Sequence, residues 1–235
     1  MIYLSATLIK DFISCPHKVY LRTTFPDHAE ITGDIFAGTI VHNALEKFWK
    51  NRDEALNFVT EEILRNESIL SGGLGAKIIT SINNFFSSPL VDLLSDADLI
   101  EHKFRLPFSS LSNKAFIVGK MDRITKDGVI IDWKTSSRTP KTISGDPQML
   151  LYFWAYRKLY AKNPAAILYA SLYNDKVVEF TFDLPTYSYF INSIVPSIIT
   201  AISKNRAEPL GMFNNSCYMC QFKQICKDVL SEYKE

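Results

Sequence analysis

The stretch Ile117-Val-Gly-Lys-Met-Asp-Arg-Ile-Thr-Lys-Asp-Gly-Val-Ile-Ile-Asp-Trp-Lys134 constrains the fold of this chain more than any other. Ile117–Ile124 and Val129–Lys134 carry the β-branched residues of strands. Lys126-Asp127-Gly128 between them supplies turn chemistry, with Gly128 able to take a positive φ. A three-residue loop would pair Thr125 with Val129, and counting outward sets Asp122 opposite Asp132 and Lys120 opposite Lys134. Alternation then places those four on one face and Met121, Ile131 and Trp133 on the other.

Two facing carboxylates repel unless a cation or a proton lies between them, and hard cations such as magnesium or manganese prefer oxygen ligands. A lysine two residues beyond the second carboxylate can hold a water beside such a cation, which is what phosphodiester hydrolysis needs. The competing reading is a hairpin whose exposed face merely carries charge, with Asp132–Lys134 a surface pair worth little.

The remaining chain bears on that choice. Its 235 residues, 47% of them hydrophobic, suffice for a sizeable core. A net charge of +1 makes no general case for nucleic-acid binding, so any DNA surface must come from local clustering of the 26 Lys and Arg. Met1–Phe12 lacks a long apolar segment, and no apolar run long enough to span a membrane occurs, so the expected compartment is the cytoplasm and no membrane partner is expected. Phe25–Gly33, Ser71–Gly75, Ser109–Lys114 and Ser136–Gly145 are the best breaks, read as loops within one unit.

Ser5 or Thr7 is expected to cap a first helix that breaks near Cys15 because Pro16 follows. Ile35–Lys50 is an amphipathic helix carrying His42, a residue type that is usually hydrogen-bonded in a core but is also a common metal ligand. Ala55–Leu70 and Leu74–Phe86 read as further helices. Leu99–Leu106 is a strand whose Glu101 offers a third carboxylate if it lies beside the hairpin. Thr135–Lys141 brings Ser136 and Arg138 as candidate phosphate contacts. Asp146–Tyr160 is a helix with Gln148 one turn before Tyr152. Ala165–Tyr173 and Val177–Phe182 form a second hairpin, and Leu184–Asn205 a helix kinked at Pro196. At least five strands with helices before, between and after them argue for an α/β fold around a mixed central sheet.

At the C-terminal end, Cys217, Cys220 and Cys226 cluster, and Cys15 is the only other cysteine. Four cysteines without a secretory segment argue for metal or cluster ligation over disulfides. Both a four-thiolate zinc site and a [4Fe–4S] cluster fit; one C-x-x-C pair, with a third thiol after five residues and a distant fourth, favours iron–sulfur. Joining Cys15 to the others would tie the chain ends together.

Asp122, Asp132-Trp-Lys134 and Gln148-Met-Leu-Leu-Tyr152 resemble the motifs of PD-(D/E)XK nucleases of the RecB-like branch, and Gly38-Thr-Ile-Val-His42 resembles that branch's helical histidine. Cys15-Pro16 with the C-terminal cysteines resembles the iron–sulfur staple of AddB-type nucleases and of the small CRISPR-associated RecB-like exonucleases. The resemblance implies a restriction-endonuclease-like sheet flanked by helices in a single domain over 1–235, with 1–30 and 206–235 forming the staple. It implies manganese or magnesium held by His42, Asp122, Asp132 and the Trp133 carbonyl, with Lys134 orienting the attacking water and Gln148 and Tyr152 positioning the strand. The implied activity is hydrolysis of DNA, commonly exonucleolytic on single strands or at ends, in CRISPR spacer processing or DNA recombination and repair. Implied partners are DNA with CRISPR integration proteins or a helicase, and the modest charge and small size leave room for a second copy of the chain. No G-x-x-x-x-G-K-[ST] string is present, so the chain carries no recognisable helicase motor. A second reading keeps the fold and the cysteine site in a non-catalytic adaptor that binds DNA ends.

Overall fold

A computed structural model describes residues 1–29, 31–110, 113–204, 208–213, 215–218 and 220–231. Its elements in chain order begin with β1 (Ile2–Leu4), α1 (Ala6–Ser14), α2 (Pro16–Thr24), α3 (Gly33–Phe48), α4 (Arg52–Arg65) and α5 (Leu74–Ser87). Strands β2 (Leu99–Ser110), β3 (Asn113–Ile124) and β4 (Val129–Lys134) precede α6 (Pro147–Tyr160), followed by β5 (Ala166–Ser171) and β6 (Lys176–Glu179). Then come α7 (Leu184–Tyr189), a π-helical turn (Phe190–Ile194), α8 (Val195–Ser203) and α9 (Lys223–Ser231). The fold is mixed α/β with a mixed sheet flanked by helices: β1–β3 and β4–β5 pair in parallel, and β3–β4 and β5–β6 antiparallel.

The chain forms two compact units, one from Met1–Ile31, Phe104–Gly119 and Leu184 onward, the other from Thr32–Lys103 and Lys120–Asp183. In the first, the Ser5 side chain caps α1 by accepting the Leu8 N–H at 3.2 Å. Cys15 sits extended between α1 and α2, where Pro16 opens the second helix at a position that lacks no bond for its missing N–H. Asp11, buried, accepts ion pairs from Lys18 and Arg22 at 2.6 Å each, and the Arg22 guanidinium lies 5.4 Å from the ring centre of Phe222. Helices α1 and α2 are thereby held to the C-terminal segment. Strand β1 was not expected; three residues carry too little periodicity to be seen until they pair with β3, Tyr3 against Phe116. The kinked helix expected over Leu184–Asn205 is α7, the π turn and α8, with the wider turn directly before Pro196, which cannot donate to the preceding turn. Its expected last residue, Asn205, lies outside the described residues.

In the second unit, α3, α4 and α5 bury Val41, Ala44, Val59, Ile82 and Phe85 against Ile131 and Trp133 of β4, and the Phe85 and Trp133 rings meet edge to face at 5.4 Å. Eight consecutive residues of α6, Met149–Tyr156, are buried as well, as befits a helix packed on several sides. Helix α4 ends at Arg65, short of the expected Leu70, because the Asn66 amide folds back to the Glu62 carbonyl at 2.8 Å. The hairpin turn is as expected: Thr125 N–H donates to the Val129 carbonyl at 2.8 Å and Gly128 has φ +86°. A side chain at Gly128 would also meet the Tyr156 hydroxyl at 2.5 Å.

Beside the hairpin, Arg123 is 2% exposed, paired with the buried Asp98 at 2.8 Å, bonded to the Ser95 carbonyl at 3.0 Å and laid 4.1 Å over the Trp49 ring. Removing one partner leaves the other charge buried. Asp98→Ala is therefore expected to destabilise folding by about 3–5 kcal/mol, read as a lowered urea midpoint.

Candidate functional site

The β3–β4 register continues the count made on the sequence: Arg123 pairs with Ile131 and Ile124 with Ile130, which sets Asp122 beside Asp132. The backbone ladder gives way at that point, and the Asp122 Oδ2 accepts the Trp133 N–H at 2.8 Å in place of a main-chain carbonyl. Its Oδ1 is thereby aimed at His42 of α3, 3.5 Å from the imidazole Nδ1.

Glu101 joins this pair. It lies in β2 with φ +50°, a left-handed conformation that a side chain other than glycine adopts only at a cost, and its Oε1 is 4.0 Å from His42 Nδ1. One ligand atom from each of His42, Glu101 and Asp122 lies within 4.8 Å of the others. Lys120, two residues before Asp122, forms an ion pair with Glu101. Strand alternation places Lys120 on this face in the sequence without assigning it a role, and its partner depends on β2 lying alongside β3.

Asp132 is fully buried. Its Oδ1 accepts from the Gln148 amide at 2.8 Å, and Lys134 Nζ lies 2.5 Å from its Oδ2. Gln148 also donates to the Tyr152 hydroxyl at 2.8 Å, and that hydroxyl donates to the Lys120 carbonyl at 2.7 Å. Asp146 fixes the start of α6 by accepting the Gln148 N–H at 2.7 Å, so the helix presents Gln148 and Tyr152 to Asp132 on one face.

The charges are strongly coupled. Burial opposes a positive His42, but Asp122 outweighs it through charge and hydrogen bonding, and the imidazole titrates above its ordinary 6.5. Burial likewise opposes the Asp122 anion, yet His42, Lys134 and the Trp133 N–H hold its carboxyl below the ordinary value. Asp132 moves upward, from complete burial and the neighbouring Asp122 charge, against the pull of Lys134. Lys134 loses solvation but gains Asp132 and Asp122, and the net shift is upward, so it stays an ammonium at neutral pH. Tyr152 is raised well above its ordinary value, chiefly by burial and then by the carboxylates, and stays a hydrogen-bond donor.

Ser136, Arg138, Trp133 and the four cysteines are the remaining candidates. Ser136 and Arg138 are exposed in the loop after β4, where the Ser136 hydroxyl accepts the Arg138 N–H at 3.1 Å and its carbonyl accepts the Asn174 amide at 3.1 Å. Of Trp133, the structure places the N–H on Asp122 and the ring in the core. The four cysteines are free thiols in the first unit. A side chain at Gly211 would lie 3.3 Å from Cys217 Sγ and 3.4 Å from Cys15 Sγ, so the bare glycine leaves space between thiols from the two ends of the chain. Burial and the neighbouring thiols push Cys226 up to about 11 and raise Cys217, as expected of sulfurs that ionise together only around a cation.

A family model of PD-(D/E)XK nucleases matches residues 3–227, which take in every residue of both groups. The chain belongs to the PD-(D/E)XK nuclease superfamily. A search of curated protein sequences finds no match. Among solved structures, the crystal structure of SSO0001 superimposes with a TM-score of 0.51 at 18% identity, over 96% of this chain and 86% of that one. At that identity the likeness concerns the fold alone. Membership of the superfamily implies a metal-dependent nuclease that binds DNA, and the donor set agrees: one imidazole and two carboxylates suit manganese or magnesium. Among the described residues no helix is long and apolar enough to cross a membrane.

A cation bound at His42 would have to displace the proton that Asp122 favours. Manganese affinity is therefore expected to fall as pH drops through the raised His42 value, with proton release on binding measured by titration calorimetry in two buffers. His42→Gln should remove both the pH dependence and the released proton.

Proposed function

We propose that this superfamily member is a DNA exonuclease acting on single strands or DNA ends. The observation that carries the reading is Lys134 Nζ, 2.5 Å from Asp132, on the same hairpin as Asp122 of the His42–Glu101–Asp122 group. In this reading His42, Glu101 and Asp122 hold the divalent cation, with Asp132 and the Trp133 carbonyl as further ligands. The cation supplies charge neutralisation and an acidified water. Lys134, kept protonated by its carboxylates, orients that water and stabilises charge that develops on the phosphate oxygens. Gln148 and Tyr152 fix the Asp132 carboxylate and position the strand, while Ser136 and Arg138 contact phosphates.

The exonuclease assignment and the preference for single strands draw on the likeness of His42, the Gln148–Tyr152 helix and the cysteine pattern to RecB-like nucleases. The same likeness supports a place in CRISPR spacer processing or in recombination and repair, with an integration complex, a helicase or a second copy as partner. Cys15, Cys217, Cys220 and Cys226 are proposed to hold a structural [4Fe–4S] cluster, as the tie between residues 1–30 and 206–235 of a single nuclease domain. The four-thiol donor set and the space left by Gly211 support a group at that place.

Cleavage of end-labelled DNA with manganese or magnesium tests the assignment. Lys134→Ala is expected to lower turnover by about 10²–10³-fold while DNA binding in EDTA persists. Label released as mononucleotide or retained on a shortening ladder gives the polarity. Binding without turnover in the unaltered protein would favour the adaptor reading instead.

Anaerobically purified protein is expected to contain iron and acid-labile sulfide in equal amounts. Cys226→Ser should lose both and melt at a lower temperature. Zinc in place of iron would overturn the cluster assignment.

A further inference from the structure

The first unit carries an aromatic and cationic surface that neither site uses. Tyr3 of β1 and Phe116 of β3 are register partners, with ring centres 5.9 Å apart and planes at 21°. Arg105 of β2, the other strand paired with β3, lays its guanidinium 4.9 Å from the Tyr3 ring centre and 4.4 Å from that of Phe116, and donates to the Tyr3 hydroxyl at 3.0 Å. The three side chains thus line up across adjacent strands.

The pleat explains which way they point. Leu4, Ala115 and Ile117 alternate with Tyr3 and Phe116 and are buried, Leu4 and Ile117 completely, while α8 packs on β1. Tyr3 is 46% exposed on the opposite side, with Arg105 exposed and Phe116 half-buried beside it. An uncovered sheet face ordinarily carries polar residues. Here it carries two parallel rings under a guanidinium that forms no ion pair among the described residues. Its Nη2 also reaches the Met1 Sδ at 4.0 Å, and among the described residues its Nε and Nη1 N–H groups have no partner and can face an anion.

From this geometry we infer that Tyr3, Phe116 and Arg105 form a stacking platform for the bases of single-stranded DNA. A flat guanidinium laid over two rings, with no ion-pair partner among the described residues, matches a polymer that alternates flat bases with anionic phosphates. A single strand fits and a duplex does not, because base faces are open only when unpaired. Phe116 lies on β3 six residues before Asp122, so the strand that carries a proposed metal ligand also carries the platform. The inference rests on the DNA-directed reading above and adds a binding surface to it.

The test compares binding of an oligothymidylate and of an abasic strand of equal length by fluorescence anisotropy, in EDTA so that cleavage does not intervene. The Tyr3→Leu, Phe116→Leu double variant keeps apolar volume on the strands but removes both rings. It is expected to bind oligothymidylate about tenfold more weakly and to bind the abasic strand as before. Arg105→Lys keeps the charge and loses the planar stack, and should show the same base-selective loss should the double variant fail to fold. Tyr3→Trp keeps a ring and should retain binding. Equal weakening toward both strands, or no change toward either, would overturn the platform. Were the unaltered protein to bind neither strand, the DNA-directed reading would fall with it, whereas metal-dependent cleavage alongside normal binding by the variants would remove only the platform.

Discussion

Two carboxylates buried next to each other at the open end of a β-hairpin set the terms for the second unit. Asp122 and Asp132 have almost no contact with solvent, and each would resist ionisation alone. The surroundings separate them. Asp122 has the Trp133 N–H on one oxygen and the His42 imidazole near the other, which keeps it an anion. Asp132 has Lys134 on one oxygen and Gln148 on the other, yet its proton affinity still rises because it is the more deeply buried. Three elements around the hairpin supply this arrangement: α3 delivers His42, β2 delivers Glu101, and α6 delivers Gln148 and Tyr152.

The same interaction relates fold to chemistry. When Asp122 accepts the Trp133 N–H, a side chain replaces a rung of the β3–β4 ladder, and the carboxylate is oriented by the backbone it interrupts. Pre-orientation of this kind lets a buried charge act without reorganisation at the moment of reaction. The left-handed backbone at Glu101 belongs to the same economy of the site: a local strain is tolerated where it turns a carboxylate toward His42 and Lys120.

The first unit solves a different problem, which is to hold its terminal segments. Asp11 collects Lys18 and Arg22 from the next helix, and Arg22 lies against Phe222 just before Cys226. These contacts need no metal. They hold the C-terminal segment to α2, next to the residue, Cys15, at which the N-terminal helices part.

How much of this the sequence determined depends on how local each feature is. The hairpin register, its turn at Gly128, the break at Cys15 and the pairing of Gln148 with Tyr152 all follow from strand alternation, a glycine's freedom, a proline's missing N–H and a helix turn, which act over a few residues. The meeting of Asp122, Asp132 and Lys134 at one spot is legible for that reason. The three-residue strand β1, the capture of Lys120 by Glu101 and the cross-strand stack of Tyr3, Arg105 and Phe116 were not, because each joins residues far apart in the chain whose meeting depends on which strands become neighbours. Periodicity fixes which face a side chain occupies, while only the assembled sheet decides what stands opposite it.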